Sequence, residues 1–142
     1  MKEIYQEMKK NEKYLPLETD NISFNGANYI TVSENEGDVS FLVDRDEKNV
    51  VVKFEGITPF YSYSEQSARS MTFAFVQQQN NDRSYFKNDL IYVVENSMLS
   101  KLFEIETYGF YSDIQLKHYC IVTDQDVVDV LSTSEPLIYE KD

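Results

Sequence analysis

The chain has a single histidine, His118, and a single cysteine, Cys120. Any Ser-His-Asp triad, Cys-His pair or imidazole metal site must therefore use that one ring. The two residues lie in the apolar run Leu116 to Val122, and strand alternation puts both side chains on one face. Residues two apart in a strand are separated by roughly 7 Å, and the flanking residues do not resemble a nucleophile motif. A hydrogen-bonded structural histidine beside a buried thiol is the expected reading. Carboxylates offer a second chemistry: Glu104 with Glu106, or Asp124 with Asp126, could serve glycoside hydrolysis or hold a divalent cation. The first pair falls where a helix should end. The second falls at an expected helix start, where negative charge suits the dipole. The chain contains no EF-hand spacing, P-loop, GxGxxG, HExxH, CxxC or GxSxG. No catalytic residue, metal ligand or cofactor is assigned, and the balance leans against an enzyme.

The elements that must position these residues centre on Leu90 to Leu131. Leu90 to Val94 is a β-branched run too short for a helix and predicts a buried strand. Asn96 or Ser97 then caps a helix whose apolar face is Met98, Leu99, Leu102 and Phe103, and Gly109 ends it. Leu116 to Val122 predicts a second strand. Thr123 and Asp126 fit a capping box opening a short helix with Val127, Val130 and Leu131 inside; a strand through Asp129 competes, because valine is a weak helix former.

Upstream, Met1 to Leu15 has a loose amphipathic pattern that predicts an N-terminal helix ended by Pro16, and Glu18 to Asn21 is a polar connection. Ile22 and Phe24 pair across Asn25-Gly26 with Tyr29, Ile30 and Val32 as a hairpin, and Glu34 to Asp38 is the next turn. Ser40 to Val43 and Val50 to Phe54 form an antiparallel meander across Asp44 to Asn49. Phe60 to Tyr63 and Met71 to Val76 read as strands, with a loop or helical turn over Ser64 to Ser70. Gln77 to Arg83 is polar throughout and predicts a dispensable exposed loop. Leu137 to Tyr139 is a short strand suited to a sheet edge. The sum is one α+β domain spanning 1–142: a mainly antiparallel sheet of about six to eight strands, an N-terminal helix and one or two short helices in the last third.

Charge narrows the partners. Twenty-five acidic residues face 13 basic ones, for a net −12, so nucleic acid is not an expected ligand, with no basic stripe to offset the Coulomb repulsion. No apolar run reaches membrane-spanning length, and Met1 to Lys13 is too charged for a signal peptide; a cytoplasmic protein without a membrane role is expected, in keeping with the lone cysteine. From Glu104 to Asp142 nine acidic residues stand against Lys117 and Lys141, a local −7, most of it expected at the surface. Solubility explains such a charge, and so does attraction to a basic protein.

The order Val94-Glu95-Asn96-Ser97, an apolar helix, and Lys117-His118-Tyr119 leading into Thr123-Asp124 resembles a loose group of small uncharacterised bacterial proteins. The likeness covers the last third of the chain. Some proteins of this kind look like immunity proteins of toxin systems, and no assigned activity comes with the resemblance. It implies a non-enzymatic protein-binding module, an acidic immunity-type inhibitor of a basic toxin. Tyr108, Phe110 and Tyr111 are the candidate anchors, with burial in the core as the alternative for these rings, and Asp124, Asp126 and Asp129 are the steering charges. The alternatives are a small-molecule-binding protein or hydrolase with a pocket near His118, and a phage or mobile-element accessory protein.

Overall fold

The computed structural model describes residues 2–17, 27–46 and 48–141. The Asn25-Gly26 hairpin and the Glu18 to Asn21 connection lie outside them. The class is α+β, with nine strands among the described residues, divided between two antiparallel sheets. In chain order the elements are α1 (Lys2–Lys9), β1 (Lys13–Pro16), β2 (Ala27–Asn35), β3 (Asp38–Arg45), β4 (Asn49–Phe54), β5 (Phe60–Glu65), α2 (Ser70–Gln79), β6 (Ile91–Glu95), α3 (Met98–Glu106), β7 (Lys117–Val122), β8 (Asp126–Ser132) and β9 (Leu137–Lys141). Short 3-10 turns cover Gln66–Arg69 and Tyr85–Lys87. No described helix is long and apolar enough to cross a membrane.

The larger sheet runs β1-β6-β7-β8-β5 and the smaller β2-β3-β4-β9. Their facing sides share one core, with Phe41, Val43, Val50, Val52 and Phe54 of the smaller sheet against Ile91, Tyr119, Ile121, Val128 and Val130 of the larger. The opposite side of the larger sheet is also covered. Tyr14, Tyr92, Val94, Cys120, Val122 and Val127 pack there with Val76 of α2 and Phe86, and Phe73 stacks on Phe86 at 4.5 Å. The larger sheet is thus a middle layer, which explains why its inner strands β6 and β7 do not show a one-sided apolar alternation.

That burial corrects four expectations. Thr123 to Leu131 does not open a helix. Thr123 Oγ1 accepts the Asp126 amide at 2.9 Å, a capping-type bond used here to close the β7–β8 turn, and every residue of β8 is buried between β7 and β5. Met71 to Val76 is helical: α2 buries Thr72 and Val76 at i, i+4 spacing, and Tyr5 of α1 meets Phe75 edge-on at 5.8 Å. Gln77 to Gln79 form the last turn of α2, and Gln79 Nε2 donates to the Glu12 carbonyl at 3.2 Å, so this stretch is not a free loop. The N-terminal helix stops at Lys9. Lys13–Pro16 instead pairs with β6 at the sheet edge, where a proline's missing N–H does no harm.

Other expectations match. Glu36 and Gly37 make the β2–β3 turn with positive φ, β3 and β4 form the meander, and β9 closes one edge of the smaller sheet.

Candidate functional site

Two features carry chemistry: a buried polar chain under α3 and an exposed aromatic surface on top of it. The first begins where β6 gives way to α3. Asn96 takes a left-handed φ of 53°, and Ser97 becomes the N-cap, its Oγ accepting the Ser100 amide at 3.0 Å. β7 brings His118 beneath this cap, with Nδ1 2.7 Å from Ser97 Oγ. The β7–β8 register sets Cys120 opposite Asp129 and His118 opposite Leu131, so Asp129 sits diagonally from His118 on the same face. His118 Nε2 donates to Asp129 Oδ1 at 2.7 Å, as it can in either its charged form or the matching neutral tautomer. Arg69, from the turn after β5, donates to Asp129 Oδ2 at 2.5 Å and reaches the Tyr14 hydroxyl at 3.4 Å.

Burial alone would raise the Asp129 carboxyl. The hydrogen bond and charge of His118, with the Arg69 guanidinium, outweigh it and hold the group below the usual carboxylate range. Burial also pushes the neighbouring Cys120 thiol well up, and the Asp129 charge adds to the effect. Both ring nitrogens of His118 are engaged by Ser97 and Asp129, so the ring forms no Cys-His dyad.

Ser97, His118 and Asp129 thus stand in the connectivity of a catalytic triad, beside an open hollow of about 490 Å³ that Ser97, His118 and Lys117 help to line. Chemistry needs an oxyanion donor, and the nearest backbone candidate, the Met98 amide, is bonded to Glu12 Oε2 at 2.8 Å. A carboxylate already takes that donor, which leaves it unavailable to a developing negative charge. Ser97 and His118 are 6% and 3% exposed, and Arg69 shares the Asp129 charge. The arrangement is built to tie α3, β7, β8 and the Arg69 turn together. Sequence reasoning missed Glu12 and Arg69, which reach this chain from segments 86 and 60 residues away along the sequence from their partners.

Asp126 and Asp129 were expected among the solvent-facing steering charges, and both are buried, at 3% and 4% exposure. Asp126 accepts the Ile30 amide at 2.8 Å and the Tyr63 hydroxyl at 2.5 Å, satisfying an amide next to the β2 register shift. Two-sided coverage of β8 overrides the alternation that would send one face to water. Asp124 is exposed at the β7–β8 turn. Glu104, Glu106 and Asp113 are exposed on α3 and the loop after it.

The second feature is that loop. Phe103 turns inward, 5.7 Å from Phe60 and 5.4 Å from Tyr111. Leu102, expected inside, is 56% exposed, and Ile105, Tyr108 and Phe110 are 73%, 99% and 79% exposed. Tyr108 has φ +54° and Gly109 +69°, and the Gly109 amide returns to the Glu104 carbonyl at 2.9 Å to close the helix. Holding a tyrosine in the left-handed region costs roughly 1–2 kcal/mol, yet the ring it displays makes no use of the core. Tyr111 is half-buried and meets Phe110 edge-on at 5.0 Å.

No protein-family model, curated protein or solved structure matches this chain.

Proposed function

We propose that the chain is a protein-binding module of the immunity type, whose contact surface is the outer side of α3 with the loop that follows. The observation that carries this reading is the display of Leu102, Ile105, Tyr108 and Phe110 on one short segment, all more than half exposed. Large aromatic side chains gain most when a partner removes them from water, and they dominate binding hot spots. The partner is basic: Glu104, Glu106 and Asp113 flank the apolar residues, Lys101 is the only cation of α3, and the whole chain carries −12. Long-range attraction speeds encounter, the aromatic contact holds the complex, and occlusion of the partner's working surface inhibits it.

The reading is tested by looking for a basic toxin encoded next to this chain, co-expressing the two and following growth. Protection is expected, and Tyr108→Ser or Phe110→Ser should weaken the complex by about 30-fold or more, the equivalent of ~2 kcal/mol, with an unchanged circular dichroism spectrum. Full protection by both variants would refute this surface. The hydrolase alternative rests on the hollow beside Ser97 and His118. It requires a fluorophosphonate to label Ser97 in the native protein, and the occupied Met98 amide argues that it will not.

A further inference from the structure

Between α3 and the loop that returns to β7 lies a cavity of about 380 Å³, at the small end of the range for ligand sites. Its inner wall is apolar, formed by Phe103, Tyr111 and the fully buried Leu131. Glu104 and Asp113 add two carboxylates to a lining that is otherwise uncharged, and no basic residue among the described residues contributes to it. Neither carboxylate has an ion-pair partner among the described residues. A ring wall with carboxylates beside it is complementary to a flat cation on an apolar stem. The planar guanidinium stacks flat on an aromatic face while its in-plane N–H groups reach the acidic oxygens, a fit that a compact, strongly hydrated ammonium makes less well. Tyr111 of the cavity wall meets the exposed Phe110 ring edge-on at 5.0 Å, so the cavity adjoins the docking surface and a protein seated there can reach into it.

We infer that this cavity seats an arginine side chain of the basic partner; the inference rests on the protein-binding reading above and adds the anchor. The guanidinium packs against Tyr111 and Phe103 and pairs with Glu104 and Asp113, replacing water around two carboxylates that the fold leaves without a cation.

The test needs no partner. The full chain is titrated at low salt with acetyl-arginine methylamide, its neutral citrulline isostere and the lysine analogue, and followed by NMR. Saturable shifts at the Phe103 and Tyr111 rings and the Ser112 to Ile114 amides are expected for arginine, with a dissociation constant of roughly 1–10 mM. Citrulline and lysine should bind at least several-fold more weakly. Glu104→Gln and Asp113→Asn, both at exposed positions, should each weaken arginine binding without unfolding the chain. The inference is overturned if arginine gives no saturable shift up to about 100 mM, if citrulline or lysine matches it, or if both acidic variants bind as well as the parent. Should arginine fail while Tyr108→Ser still abolishes protection, the anchor falls and the docking surface stands. If arginine binds while the surface variants protect fully, the docking reading falls instead.

Discussion

Replacing Asp129 with Ala removes the acceptor that holds both the His118 ring at 2.7 Å and the Arg69 guanidinium at 2.5 Å. His118 is 3% exposed and cannot recover the lost bond from water, whereas the Arg69 side chain, 21% exposed, can partly turn outward. Breaking a buried pair from one side costs about 3–5 kcal/mol, and the partial access of Arg69 argues for the lower end, about 3 kcal/mol. For a chain of this size that corresponds to a melting temperature lower by roughly 10 °C. Urea unfolding followed by far-UV circular dichroism at pH 7 measures it, with the exposed Asp124→Ala as the reference. Arg69→Met in the Asp129→Ala background should restore part of the loss by removing the stranded cation. The pH dependence supplies a second readout. The folded carboxyl lies below its unfolded value of about 3.9, so its contribution is complete above that value and is lost as pH falls through the folded one. The parent should therefore lose stability more steeply than Asp129→Ala below about pH 4. A loss under about 1 kcal/mol, equal to that of Asp124→Ala, would refute the buried-chain reasoning.

The remaining predictions concern packing. Cys120 is 1% exposed with its thiol pushed up by burial, so native thiol labelling should be more than about a hundredfold slower than in urea; equal rates would contradict its burial. A Cβ on Gly56 would lie 2.6 Å from Thr133 Oγ1 and 2.9 Å from Ser134 Cβ, so Gly56→Ala should cost about 1–3 kcal/mol in urea unfolding by displacing the β8–β9 connection. Deleting Gln77 to Gln79 should lower the melting temperature markedly, because it removes the end of α2 and the bond to Glu12; an unchanged value would restore the loop reading.

The sequence by itself determined what depends on near neighbours. The strands at Ile91–Glu95 and Lys117–Val122 are legible as short apolar, β-favouring runs, and the Ser97 cap is legible because an N-cap bond spans only three residues. The exposure of Tyr108 and Phe110 was not legible, since rings just past a helix end can equally fold into the core, as Tyr111 partly does. Net charge needs only counting. Tertiary structure decided the cases in which one pattern fits two elements. Met71 to Val76 alternates like a strand and also places Thr72 and Val76 at helical spacing; the demand for a cover over Phe86 and Tyr92 selects the helix. Val127 to Leu131 has an apolar helical face, but insertion between β7 and β5 gives both sides of the segment something to bury, so the strand wins. The same insertion draws Asp126 and Asp129 out of the solvent. The chain from Ser97 through His118 and Asp129 to Arg69 could not be read from local sequence. It depends on strand register and on segments distant along the chain, and a buried carboxylate persists only where folding delivers the donors that neutralise it.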